Sequence, residues 1–307
     1  MSSGFSQNVW HILVCPQCGN TLKKTPGGAL CGQRQCGAEY VYTDSGNLDL
    51  RLKTTKKHTL QFELETPLLP EQGFDFKPLA LNPRPEVDFS GITVPYHLSK
   101  ELLSYFPQAK SGESLMLDLG CGNAIHRQVG EHAGFQYVGL DYDAPGAPIL
   151  GDGHALPFKD NSFEFILSIA VLEHIRFPFV MIREACRVLK PGGKLIGTVA
   201  FLEPFHGGSF YHHTHLGVYN MLQYGGFEIE HIAPGEKWSV FAAQAHMAHL
   251  FPKMPKWLSK AIVRFPHLLS RLWWKTGSFI HPGGKTNRAA CIRDTTGAFA
   301  FIATKSL

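Results

Sequence analysis

The chain has 307 residues, 44% of them hydrophobic, with 29 Lys and Arg against 25 Asp and Glu and a net charge of +4. That size suits one large domain with an appendage or two modest domains, and the composition is that of an ordinary globular protein. No apolar run reaches the length of a membrane-spanning helix, and the opening residues lack the basic-then-apolar pattern of a secretory signal, so a cytoplasmic location is expected. The charge is unevenly spread: from Lys237 to Arg293 there are ten Lys and Arg and no Asp or Glu. A basic insert in an acidic body suggests an anionic partner.

Four of the seven cysteines lie close to the N-terminus, as Cys15-x2-Cys18 and Cys31-x4-Cys36. In a cytoplasmic chain this grouping points to metal rather than disulfides. Two facing knuckles would give tetrahedral thiolate coordination, a closed structural Zn²⁺ site with no open position for catalysis. A segment this short cannot bury enough apolar surface by itself, so the metal would supply its folding free energy. Through "AEYVYTDSGNLDLR" the stretch resembles the short zinc ribbons found before, or bound to, some methyltransferases. We take residues 1–50 as this module and the proline-studded 51–95 as a linker. "PYHLSKELLSYFP" then reads as a short amphipathic helix at 95–107.

"LMLDLGCGN" (115–123) is a buried strand that ends in an acid and a glycine-rich turn, with a helix expected over 123–133. Strand, glycine turn and helix form a phosphate cradle in dinucleotide folds. Here, however, G-x-G-x-x-G is absent and the acid would repel a pyrophosphate, which suits a sulfonium or ammonium ligand better. A second strand, "FQYVGLDYD", ends in Asp141, placed to accept ribose hydroxyls. "ILGDGHALPF" offers Asp152 for an adenine amine. A fourth strand ("SFEFILSIAV"), a fifth ("KLIGTVAF"), a sixth ("GFEIEHI") and a last ("AFAFIATK") follow.

In this order these motifs resemble the class I S-adenosylmethionine-dependent methyltransferases, especially the type 11 group. The resemblance implies an α/β, Rossmann-like, seven-stranded sheet over 96–307, with a helical insert at 233–297 before the last strand. It implies that Gly120, Cys121 and Gly122 lie against the methionine part of S-adenosylmethionine and that Asp118 lies near its charged end. Asp141 and the adjoining Tyr142 would hold the ribose, Asp152 and Gly153 would frame the adenine, and Ile169 would line the approach to the methyl group. Ala124 stands where the family's loop commonly has a third glycine, and one methyl group is tolerable there if the local φ is negative.

A hydroxyl acceptor needs a base, and histidine is suited near neutral pH. His174 follows the fourth strand, and His206, Tyr211 and His212 crowd the loop "EPFHGGSFYHHTHLGVYNML"; these four are the catalytic candidates. Similar histidine-rich loops occur in relatives that methylate sugars or other small metabolites. "SIAV" replaces the N/D-P-P-Y/F motif that usually accompanies exocyclic amine acceptors. The leading expectation is therefore methyl transfer to a hydroxyl (or similar nucleophile) of a small metabolite or glycan, lipid-linked or free. The alternatives are an RNA methyltransferase whose zinc ribbon and insert grip nucleic acid, and a non-enzymatic cofactor-binding scaffold.

Within the insert, "PKWLSKAIVRFPHLLSRLWWK" places Lys256, Lys260, Arg264, His267, Arg271 and Lys275 near one helix face and the apolar residues largely on the other, with Pro266 expected to kink or divide it. Three readings stay open for 255–275: a lid packed on the catalytic domain, peripheral contact with an anionic membrane, and contact with an RNA backbone.

Overall fold

Residues 7–63, 76–203, 207–235, 238–247, 251–280 and 288–307 are described by the computed structural model. The strands are β1 (Leu22–Thr25), β2 (Gly28–Cys31), β3 (Glu39–Tyr42), β4 (Leu48–Asp49), β5 (Leu115–Leu119), β6 (Gln136–Asp141), β7 (Ile149–Leu150), β8 (Phe163–Ile169), β9 (Leu189–Ala200), β10 (Phe227–Pro234) and β11 (Ala298–Lys305). The helices are α1 (Lys100–Leu103), α2 (Arg127–His132), α3 (Pro178–Val188), α4 (His215–Gly225), α5 (Val240–Met247), α6 (Lys256–Ile280) and α7 (Arg288–Asp294).

The sheet runs β7-β6-β5-β8-β9-β11-β10, parallel from β7 to β9, with β11 inserted antiparallel between β9 and β10. This is the expected seven-stranded, Rossmann-like α/β arrangement. Strand β5 is buried along its whole length because it is central and covered on both faces. Alternation assigns its side chains: Leu115, Leu117 and Leu119 join one core, while Met116 joins the core on the opposite face with Phe106 and Phe165. All the parallel strands end at the same edge, and a crevice at the carboxyl ends is where ligands bind in such sheets.

The cysteine-rich module extends this sheet. Strands β1 to β4 form an antiparallel meander, and β4 pairs in parallel with β7, Leu48 opposite Ile149. Asn47 reinforces the junction by donating its side-chain amide to the carbonyls of Pro145 and Ala147. On the other side of the module, Val14 N–H donates to the Pro157 carbonyl and Lys159 N–H to that of Ile12. Leu13, Tyr40 and Leu48 belong to the same core as Phe158, Phe163 and Ile182.

Three expectations change in detail. The helix expected at 95–107 is a single turn, α1, capped where the Ser99 hydroxyl accepts from Leu102 N–H at 3.1 Å. The helix expected at 123–133 starts only at Arg127, because the chain first turns through Ala124. Helix α6 runs unbroken through Pro266. Its insert leaves and rejoins the sheet at one point, where Ser239 bridges Thr296 and Gly297 N–H donates to the Trp238 carbonyl.

Candidate active site

Two cavities open at the carboxyl ends of the parallel strands, and Ala170, just beyond β8, lines both. The larger, about 1210 Å³, is walled by the turn after β5, the tip of β6, and the residues after β7 and β8. Asp141 lines it and is held rigidly: one carboxylate oxygen accepts from Gly122 N–H at 2.8 Å and the other from Ala144 N–H at 3.2 Å. Asp143 N–H also donates to the second oxygen at 3.3 Å, so the oxygen bonded to Gly122 is the one that keeps acceptor capacity for a ribose hydroxyl. Tyr142 and Gly153 also line this cavity.

Asp152 lines it as well and is oriented by His154, whose Nδ1 donates to it at 2.6 Å while Nε2 accepts from Phe177 N–H. Burial would raise the Asp152 carboxyl, but the hydrogen bonds from His154 outweigh it and hold it below the usual range. Leu140, Ile175 and Val180 supply apolar surface between the two acids. A carboxylate for the ribose, a second for a base amine and an apolar slot between them fit S-adenosylmethionine.

The glycine turn has a steric reason to be bare: Gly120 sits at φ +77°, and a Cβ there would meet the Val171 side chain at 2.4 Å. Ala124 departs from expectation, with φ +58° rather than negative. Its methyl group is therefore carried in a left-handed conformation that disfavours L-residues.

Asp118 and Cys121 are placed differently from what the resemblance implied. Neither lines the cavity. Asp118 is 0% exposed, beneath the turn, where Tyr137 donates its hydroxyl at 2.6 Å and His126 Nδ1 lies at 3.2 Å. Burial and the neighbouring Asp118 push the Tyr137 phenol up, so it stays a donor. Burial likewise raises the Cys121 thiol, keeping it protonated and inert. These groups brace the turn from below.

The second cavity, about 450 Å³, lies across Ala170 between the ends of β8, β9 and β11 and the segment 96–102. Leu79, Leu102, Val199 and Phe299 make most of it apolar, and Ile169 lines this cavity instead of the larger one. Set in this surface are Glu173 and Glu203. Glu173 is 1% exposed, and its Oε2 has no hydrogen-bond partner among the described residues. Burial, aided by repulsion from Glu203, pushes its carboxyl up to about 7 against the pull of backbone hydrogen bonds. Glu203 accepts from Trp238 Nε1 at 2.5 Å. Ala170 itself is held at φ +55° by bonds from its N–H to the carbonyl and hydroxyl of Thr198.

The histidine candidates are scattered. His174 lines the larger cavity, on the cofactor side. Tyr211 points its hydroxyl to the Arg176 carbonyl and lines neither cavity, nor does His212. His206 lies outside the described residues. Sequence reasoning passed over Glu173, although it sits in the same "LEH" as His174. It also missed the wall that Leu52, Lys56 and His58 add to the larger cavity, because irregular chain carries no periodic signal.

In the N-terminal module the sulfurs of Cys15, Cys18, Cys31 and Cys36 all lie within 4.8 Å of one another, with Cys18 to Cys31 at 3.4 Å and Cys15 to Cys36 at 3.8 Å. Tetrahedral thiolates around Zn²⁺ at roughly 2.3 Å would stand about 3.8 Å apart, so the donor set and spacing fit that ion. Tyr40 and Asn20 lie within donating reach of Cys15 and Cys18, as supporting groups around a metal do.

Strand order and strand-tip acids together define a Rossmann-like methyltransferase sheet. A methyltransferase-domain family model matches residues 117–197, from within β5 to within β9. Among curated proteins it is 32% identical over 107 residues to an uncharacterised methyltransferase of Mycobacterium leprae, covering 30% of this chain and 40% of that one. It is 33% identical over 122 residues to another from Mycolicibacterium gilvum, covering 35% and 48%. The match thus spans less than half the length of these relatives. Among solved structures, an S-adenosylmethionine-dependent methyltransferase from Mesorhizobium loti aligns over 66% of this chain and 95% of its own at 15% identity and TM-score 0.41. A complex of the Haloferax volcanii Trm112 methyltransferase activator with a methyltransferase aligns over 69% and 90% at 17% and 0.46.

Proposed function

We propose that this chain transfers a methyl group from S-adenosylmethionine to a hydroxyl of a small, partly apolar metabolite or glycan, with Glu173 taking the hydroxyl proton and a structural Zn²⁺ on the four N-terminal cysteines. One observation carries this reading: Glu173, a buried residue with a carboxylate oxygen unpartnered among the described residues, belongs to the wall of an apolar cavity that meets the acid-rimmed larger cavity at Ala170.

S-adenosylmethionine, when bound, supplies a methyl carbon already activated by a positive sulfur, so the chain's task is to position and deprotonate. Asp141 and Asp152 hold the nucleoside end in the larger cavity. The acceptor occupies the smaller cavity with its hydroxyl toward Ala170. Glu173 would take the hydroxyl proton as the acceptor oxygen gains the methyl group, with the thioether product left in the larger cavity. A carboxyl poised near 7 suits that role, since a base works best when its own affinity for the proton matches the surroundings. The bonds that Ala170 N–H donates to Thr198 keep Ala170 in place, so that the partition between the two ligands does not drift.

An RNA acceptor is less well served, because this cavity of about 450 Å³ is largely apolar and its lining sets Lys256 against Glu101, Glu173 and Glu203, little net positive charge for a phosphate backbone. Calorimetry with S-adenosylmethionine is the first test. Wild type should bind, and Asp141→Ala should weaken binding by roughly 10- to 100-fold, the worth of charged hydrogen bonds. Absence of any affinity in wild type leaves a scaffold and sinks the enzyme reading. Screening hydroxylated acceptors with methyl-labelled cofactor then separates a metabolite or glycan from RNA.

A further inference from the structure

Helix α6 turns its apolar face outward. Ser259 and Val263 are buried toward the body, and His267 stacks on Phe241 of α5 at 5.5 Å, which fixes the side by which the helix is attached. The large apolar residues lie away from that side. Trp257 is 71% exposed, Phe265 66% and Trp273 65%, and Ile262, Leu268, Leu269 and Leu272 are exposed among them. At 100° per residue these seven fall in one continuous arc covering almost half the helix. Lys260, Arg264, Arg271 and Lys275 form the strip between this arc and the body. A lid packed on the catalytic domain would bury the arc instead. Apolar surface this large and continuous on one helix marks an interaction site.

We propose that α6 is a docking helix that lies in the surface of an anionic lipid bilayer, its apolar arc sunk among the acyl chains and its cations against the headgroups. Charge decides among the occupants. The surrounding segment from Lys237 to Arg293 holds ten Lys and Arg and no acid, which complements a negative surface. A second copy meeting this face about a two-fold axis would bring the same cationic strip against its mate, with no acid between Lys237 and Arg293 to relieve it. RNA would satisfy the cations but leave Leu268, Leu269 and Leu272 in water. Tryptophans near both ends of the arc suit the headgroup boundary, where an apolar ring with one polar N–H is at home. The helix does not cross: among the described residues no helix is long and apolar enough to do so. Lys256, its first residue, lines the acceptor cavity, so docking brings that cavity's mouth to the lipid surface. That corollary rests on the function proposed above, whereas the docking does not.

The test is sedimentation of the full chain with vesicles of phosphatidylcholine containing phosphatidylglycerol, against phosphatidylcholine alone. Wild type should bind the anionic vesicles at least about tenfold more tightly, with affinity falling as salt rises. The triple variant Phe265→Ala, Leu269→Ala, Trp273→Ala should lose binding to both. Lys260→Glu with Arg271→Glu should lose only the preference for anionic lipid. All the replaced side chains are exposed, and unchanged melting together with unchanged S-adenosylmethionine affinity would show that fold and cofactor site are intact. The proposal is overturned if wild type ignores anionic vesicles or if the triple variant binds as well as wild type. It is equally overturned if wild type is a dimer that the triple variant dissociates, or if RNA competes with vesicles for the same face.

Discussion

Two carboxyl groups in this molecule are equally hidden and differ in company. Asp118, on β5, is 0% exposed and is met by the Tyr137 hydroxyl and the His126 ring. Glu173, just past the end of β8, is 1% exposed and keeps an oxygen without a hydrogen-bond partner among the described residues. A buried acid costs free energy unless its polar atoms are satisfied. The satisfied one braces the glycine turn. The unsatisfied one faces a cavity, where an acceptor hydroxyl would complete its hydrogen bonds. Burial alone does not separate the two acids; what separates them is whether their oxygens have partners.

Exchanging each acid sharpens this contrast. Asp118→Ala strands the Tyr137 hydroxyl and the His126 ring in the core and should cost roughly 3–5 kcal/mol in denaturant unfolding, with any loss of rate explained by the unfolded fraction. Glu173→Gln should do the opposite: kcat falls by about 10²–10⁴ while the cofactor affinity stays at the wild-type value. Wild-type kcat should also rise with pH through about 7 as Glu173 ionises, and the variant should lack that limb. Equal rates for the two proteins would remove Glu173 as the base.

The stability of the same variant tests the cause of its shifted titration. A carboxyl whose folded value is raised to about 7 favours the folded state below the unfolded value near 4.5, and that support is lost as pH rises through 7. Glu173→Gln should therefore melt like wild type near pH 4 and be more stable at pH 8, by roughly 2–3 kcal/mol. The smallest effect concerns the turn that Asp118 braces. Ala124→Gly relieves a left-handed methyl-bearing residue and should raise stability by roughly 0.5–1 kcal/mol, or a degree or two in Tm.

The strands were legible because their signals are local and periodic. Leu115–Leu119 and Ala298–Lys305 fall where apolar runs bounded by turn residues put them. Asp141 lines the larger cavity as expected of the last residue of β6, and Asp152 joins it from two residues beyond β7. The surroundings of Asp118 were not legible: the sequence shows an acid before a glycine turn, not that Tyr137 and His126 from other elements reach it. Glu173 was hidden behind His174, since residue type drew attention to the histidine and only packing shows that Glu173 lines the smaller cavity and His174 the larger. The outward face of α6 was likewise beyond the pattern, which yields an apolar arc but not the side by which the helix is tethered.

The continuous sheet has one more implication. Strand β4 belongs to the cysteine-bearing meander, pairs with β7, and leads within a few residues into Leu52, Lys56 and His58 of the nucleoside cavity wall. Lys56 also ties back to the knuckle by donating to the Pro16 carbonyl at 2.7 Å. On the function proposed above, ion occupancy and nucleoside affinity should be linked, and a linkage runs both ways: a chelator acting on the four thiolates is expected to weaken S-adenosylmethionine binding in calorimetry, and saturating S-adenosylmethionine to slow the chelator.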